Sequence, residues 1–544
     1  MATVVNFNGK KCIEPGSYAA TVYNPTSVIN VAEFGNVMII DTGLAKNGTY
    51  EFAGGSGIKG ELASGLKSVY EFNSLEDFRA FMGGGLVTDI ATQIFIPGNG
   101  NAGAPKLFYV RAAQTTCASI TLEIAAASGD DPAVALVLKC KNEGIVGNGV
   151  LVNSVLKVGY AAAIVAGATA NTFKLQVFRG TFQGVDEYGE PFGTKTLDEA
   201  QPDMIAESED FTTLQQLYDW CLNSKVMIAN FTISTTGELS TQLAAVSQVL
   251  ASGGTTDYTA QGAYDDVLEA IDEMDITFFL CTNLNAASGA GVDAATNGKL
   301  FTYLKQKAKY TEFMVIPGGK DDTDLFGESN TSEAIAKYFN SGQVVTIHGA
   351  PVVTRKNNNG TKQLEPIYLA ANIIGLNAGL APQTPITFKR VGYNAFAYDL
   401  KKKEREKALQ AGIMHIRNVS GYYCVNQGVT TLQDNLRTIA PDGQSFELSI
   451  ELIKAQLNKE LILEGQIRFT GNTAAQASPE SVKNFTETKL ASFVASPGND
   501  NLLISWRNVK VVANNGDYFV YYDFVPNVPV NKTFFVGNIL DFSF

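Results

Sequence analysis

The chain has 544 residues, enough at roughly 150 residues per domain for three or four folded units. Hydrophobic residues make up 45% and charged residues 17%, so it fills real cores and is not a disordered chain. Forty-one Lys plus Arg against 54 Asp plus Glu leave a formal charge of −13, the wrong balance for a nucleic-acid or membrane-surface binder.

The start, Met1-Ala2-Thr3-Val4-Val5-Asn6, has no basic end and no apolar run, so it does not read as a signal peptide. Val5 and Phe7 alternate with Asn6 and Asn8 in an extended segment, and Pro15-Gly16 punctuates it. A compact α/β segment follows. Asn36 to Ile40 reads as a buried strand, Ser74-Leu75-Glu76-Asp77-Phe78 as a capped helix start, and Lys106 to Arg111 as a strand.

From about Ala118 strands succeed one another without helices. Ile120 to Ile124, Ala135 to Lys141, Gly149 to Val155 and Phe173 to Phe178 predict an inserted β-sandwich, closed by a turn-rich loop over 180–202. The stretch 150–170 is apolar but broken by Asn153, Ser154 and Lys157, so it does not read as a membrane span.

From about 208 helical and extended periods alternate. Leu214, Leu217, Tyr218 and Cys221 share a helix face before a strand at Val226-Met227-Ile228. Helices over 264–271, 300–309 and 333–339 precede strands at 276–281, 313–316 and 344–347. Such units predict right-handed crossovers and a covered parallel sheet. Further on, Asp399 is placed to cap a helix ending at Gly412. Phe446 to Leu461 forms an amphipathic helix stopped at Gly465, and Ser478-Pro479 opens another helix. Asn515-Gly516 between two apolar runs predicts a hairpin, and 533–544 reads as a last strand.

No reactive constellation emerges. Six scattered cysteines and two histidines, His348 and His415, supply neither a zinc site nor a disulfide framework. Gly98, Gly100 and Gly103 form a literal G-x-G-x-x-G, but Ala104-Pro105 and a strand follow instead of a helix, so it reads as a loop. Asp321-Asp322-Thr323-Asp324 lacks an EF-hand's spacing and reads as a solvated acidic loop. Both histidines, Trp220 and Trp506 read as core residues. The basic run Lys401, Lys402, Lys403, Arg405 and Lys407 is the one strong charge contrast. It reads either as a solvated helix face or as a docking face for an acidic partner.

Taken together, the blocks resemble contractile phage tail sheath proteins of the myovirus type, in order along nearly the whole chain. Pro15-Gly16-Ser17-Tyr18 is similar to that family's opening arm, and Ser74 to Phe78 to its S-x-x-D/E-F helix start. Gly144-Ile145-Val146-Gly147-Asn148-Gly149 resembles its G-x-W-G-N turn, with Val146 in place of the aromatic. Ser252 to Tyr258, the stretch Leu364 to Pro382, Leu409 to Ile413, and Gly516 to Pro529 resemble further blocks. Leu436-Arg437-Thr438-Ile439 lacks the paired arginines that follow in the family.

The resemblance implies a multi-domain α/β fold: a mixed sheath core, the inserted β-sandwich, and a parallel-sheet domain that is subtilisin-like but catalytically silent. The expected limits are an arm over 1–20, core over 21–117, insert over 118–200, parallel-sheet domain over 201–375, C-terminal core over 376–531 and an arm strand over 532–544. It implies a subunit that polymerises with itself as stacked hexameric rings around a tail tube and collapses on a baseplate signal. Tail tube, baseplate and tail terminator proteins are the implied partners, with no cofactor and no direct nucleic-acid or membrane contact. The place of action is the virion, after assembly in the host cytoplasm. Val5, Phe7, Phe534, Val536, Leu540 and Phe542 are the candidate arm-strand residues between subunits, and 401–407 the candidate tube-facing helix. A hydrolase or nucleotide-using enzyme built on 208–375, or a sheath component of a related injection machine, is the alternative.

Overall fold

The structure is a computed structural model. It describes residues 5–7, 10–12, 34–41, 69–82, 85–112, 114–123, 134–182, 184, 195–236, 239, 245–257, 271, 274–282, 312–329, 331–354, 360–432, 445–473, 476–494, 501–514 and 517–530. Its centre is an eight-stranded sheet in the order Tyr422–Val425, Ile413–Val419, Val344–His348, Phe313–Pro317, Phe278–Cys281, Val37–Asp41, Leu107–Arg111, Tyr70–Phe72. The six inner strands run parallel, and each outer strand is antiparallel to its neighbour. Five of the inner strands are buried at every position, which is why they read as continuous apolar runs and not as alternation.

Nine α-helices are described: α1 (Leu75–Met82), α2 (Leu86–Phe95), α3 (Leu214–Asn223), α4 (Lys225–Asn230), α5 (Ser332–Phe339), α6 (Pro366–Ala378), α7 (Lys402–Gln410), α8 (Leu448–Phe469) and α9 (Pro479–Ser492). The helix over 264–271, of which Ile271 alone is described, the helix over 300–309 and the last strand lie outside the described residues. α6 is buried along its whole length against α2 and the sheet. Gly375 permits this approach, since a Cβ there would lie 2.6 Å from the carbonyl oxygens of Gln93 and Ile94. Asn372 Nδ2 donates to Pro97 O (2.9 Å) while its Oδ1 accepts from Gly392 N–H (3.1 Å), pinning two loops to α6. The glycine loop 98–103 turns the chain back at the end of α2, with Gly98 and Gly100 at positive φ, and Ala104 N–H donates to Ile94 O.

Beyond Ala112 two four-stranded antiparallel sheets begin. One has the order Asp203–Glu207, Phe173–Arg179, Tyr160–Ala166, Val246–Leu250; the other Phe231–Thr235, Val134–Glu143, Gln114–Glu123, Thr255–Asp257. Ile120, Leu138, Tyr160, Leu175, Leu217 and Phe231 belong to one shared core, which α3 and α4 help to close. The boundary expected at 200 therefore moves to about 257. Residues 208–257 read as the start of the α/β alternation, yet the strands over 231–235, 246–250 and 255–257 pair back onto those over 134–143, 160–166 and 114–123. Val226-Met227-Ile228 is helical in α4, not a strand: Ser224 Oγ accepts from Met227 N–H, and Met227 is the buried member of the three.

The segments 144–149 and 252–257 meet at the neck of this unit. Asn148 Nδ2 donates to Gly254 O and Asn148 Oδ1 accepts from Gly254 N–H, both at 2.9 Å.

In the C-terminal part, α8 is shared between two cores. Leu448, Leu452 and Ala455 pack into the central one, and Ile453 and Leu457 pack with Leu490, Phe493, Leu503 and Phe524. α8 runs through Gly465 to Phe469, because its last turns have their own contacts: Arg468 pairs with Glu464 and lies over the ring of Phe485. Asp399 is not the cap of α7. Lys401 is the capping residue, and its N–H donates to the Glu404 carboxylate (2.6 Å), whereas Asp399 accepts from the Tyr423 hydroxyl (3.1 Å).

Candidate assembly surfaces and a buried serine–histidine pair

All five basic residues of 401–407 are on or beside α7, and Ala408 is the buried anchor beneath. The exposed ammonium groups of Lys401 and Lys402 have carboxylates nearby, Glu404 at 3.7 Å and Glu406 at 3.9 Å. The hydrogen bond from Lys401 N–H is the main reason the Glu404 carboxyl sits below its usual range. Arg405 Nη1 donates to Leu400 O, and the Lys407 ammonium stacks 3.7 Å from the centroid of Phe326. Lys403 is exposed. The helix thus keeps a net positive face, but Arg405 and Lys407 also serve its own docking to the molecule.

The hairpin Leu503–Asn514 with Asp517–Pro526 is two-stranded among the described residues. Its base is held by Leu503, Val509 and Phe524. Away from the base apolar groups face solvent, Tyr521 at 58% exposure and Val512 at 36%. A two-stranded ribbon is marginal alone, and its outer edges carry backbone groups that seek partners. Val5–Phe7 pairs antiparallel with Lys10–Cys12. Phe534, Val536, Leu540 and Phe542 lie outside the described residues.

At the carboxyl ends of the parallel strands, Ser332 Oγ lies 2.9 Å from His348 Nδ1 and accepts the Gly319 N–H at 2.8 Å. No sequence motif marks this contact; α5 and the strand Val344–His348 bring it together. It does not have the form of a nucleophile and base. Ser332 is 0% exposed, and no carboxylate is bonded to the ring's other nitrogen, Nε2. Burial pushes the His348 ring down to about 4. His415 fits its reading as a satisfied core histidine: Nδ1 donates to Ile413 O (3.2 Å) and Nε2 accepts from Asn426 Nδ2 (3.1 Å). The carboxylates of Asp321 and Asp324 serve their own loop, accepting from the N–H groups of Thr323, Lys320 and Asp321.

This combination of a central mixed sheet, an outlying two-sheet unit and a C-terminal helix–hairpin unit is the fold of sheath tail proteins. That of Desulfitobacterium hafniense superposes with a TM-score of 0.52 at 14% identity, covering 94% of this chain and 100% of that one. That of Listeria innocua gives 0.50 at 13% identity, covering 91% and 96%. In sequence, the tail sheath protein of Bacillus phage SP01 is 21% identical over 583 residues, covering 97% of this chain and 95% of the relative. No family model matches the chain. The resemblance to contractile phage tail sheath proteins thus extends over nearly the whole chain and is not confined to a few motifs.

Proposed function

We propose that the chain is the structural subunit of a contractile phage tail sheath, polymerising as stacked hexameric rings around a tail tube and contracting to drive the tube through the host envelope. The likeness to a tail sheath protein over 97% of the chain carries this reading. Its partners are further copies of itself, the tail tube, and the baseplate and tail terminator proteins. It acts in the virion and turns over no substrate. Strain stored in a cooperative polymer and released once is a matter of kinetic stability and asks for no reacting side chain.

Within that reading the two facing sheets over 114–257 are an inserted β-sandwich and the parallel sheet a silent, subtilisin-like core. α7 faces the tube, and the terminal segments connect neighbouring subunits. Electron microscopy of the purified chain or of the assembled tail tests the proposal: tube-like helical particles are expected. A chain that stays monomeric beside tubes and hydrolyses ester or nucleotide substrates, with the activity lost in His348→Asn, would overturn it.

A further inference from the structure

The sequence holds two histidines, and the fold brings them together. His348 and His415 stand opposite each other in the register of adjacent parallel strands, at 2% and 0% exposure. Alternation turns them away from Val345, Ile347 and Met414, which belong to the central core. Ile413, two residues before His415 on the same face, packs with Ala408 of α7, with Ala411 just after it, and with Ala336 of α5. The two imidazoles therefore lie in the floor on which α5 and α7 sit.

Each position accommodates a neutral ring. His415 Nε2 accepts from Asn426 Nδ2, and Asn426 Oδ1 is taken by Arg417 Nη1 (3.4 Å). A proton on Nε2 would set two donors face to face, and turning the Asn426 amide over would aim its N–H groups at the guanidinium. The charges acting on His415 are all of like sign: Arg405 from α7, Arg417 from its own strand, and His348 once protonated. His348 Nδ1 is engaged by Ser332 at the start of α5, and Nε2 has no partner. A second ring proton there would be a buried donor without an acceptor. Asp321, in the loop after Phe313–Pro317, is the opposing charge, and burial outweighs it. The charged residues of α5, Glu333 and Lys337, pair with each other (3.5 Å).

We propose that this histidine pair is an acid-sensitive latch: protonation of both rings releases α5 and α7 from the sheet. The latch is a property of the subunit and does not depend on what α7 docks against. A ring released to water takes a proton near its ordinary value of about 6.5, while the seated ring does not. Below that value opening becomes about tenfold more favourable per pH unit for each ring released.

Hydrogen exchange on the full chain, corrected for intrinsic rates, tests this. Between pH 6 and pH 5 the opening constant of α7 amides should rise about sixtyfold, with α9 unmoved. In His348→Asn the rise should fall to about eightfold. Histidine-labelled chain gives two ring signals for nuclear magnetic resonance, and both should stay neutral until α7 opens. This reading needs no variant to fold. A flat profile for α7, an equal rise in α9, a rise of only about eightfold in the unaltered chain, or a ring titrating near its ordinary value while α7 stays protected would each overturn the latch.

Discussion

Gly375 sits mid-helix, where alanine would ordinarily stabilise by up to about 1 kcal/mol. Here the sign reverses, because the new methyl group would meet the backbone oxygens of Gln93 and Ile94 at 2.6 Å, and backbone of a packed helix cannot step aside. Overpacking costs about 1–3 kcal/mol, so Gly375→Ala should lower the urea midpoint with an unchanged slope. A raised midpoint would mean that α2 and α6 part freely. Individual residues of this kind were legible as a pattern and not as a reason. The stretch around Asn372 and Gly375 resembles a family block, but neither the two loops that Asn372 holds nor the helix that Gly375 admits is near in sequence. The same holds for Asn148 and Gly254, which lie in two separate blocks and prove to bond each other.

Elements were most readable where local chemistry agreed with packing. α9 begins at Ser478-Pro479 as read, with Ser478 Oγ accepting from Ser481 N–H. The strands flanking Asn515-Gly516 pair antiparallel as far as Asn514 with Asp517, and the two residues between lie outside the described ones. Short apolar runs were ambiguous, and α4, read as a strand, is helical because a cap and a single buried face decide it. α7 was read in nearly the right place from Asp399 as cap and Gly412 as stop, although Lys401 is the residue that caps it. The tube-facing role proposed for it is best tested with Lys402→Glu and Lys403→Glu, since Arg405 also bonds Leu400 O and its loss would disturb the helix start. The double variant should keep its melting temperature, because exposed ion pairs such as Lys402–Glu406 contribute little. It should nonetheless fail to co-sediment with tail tubes at low salt, where the unaltered chain binds and loses its hold as salt rises. Equal binding by both would make α7 a solvated face.

At the scale of the whole molecule the far limit of the insert was not legible, since strand pairing between 231–235 and 134–143 leaves no local mark. The unit over 114–257 carries 7 Lys plus Arg against 16 Asp plus Glu, so −9 of the chain's −13 resides in it. Such a charge suits an outward, solvated position. Excision between 113 and 257 should leave a folded chain that forms tubes of smaller diameter in micrographs; a folded deletion that forms none would make the insert an assembly contact. The termini pose the opposite case. Phe534, Val536, Leu540 and Phe542 fall on one face of an extended reading, interrupted only by Asn538, with Thr533, Asp541 and Ser543 on the other. The segment is too short to close a sheet, and a lone strand can neither satisfy its backbone nor bury its apolar face. The exposed outer half of the hairpin, with Val512 and Tyr521, offers the matching need. Strand addition between copies would meet both demands, with main-chain bonds giving affinity and alternate side chains giving register. It would also keep neighbours tied while their bodies slide past one another. Removal of 532–544 should therefore yield a soluble chain with the melting temperature of the full-length subunit and no tubes by electron microscopy. Normal tubes from the truncated chain, or a chain that no longer folds, would place that strand within its own subunit.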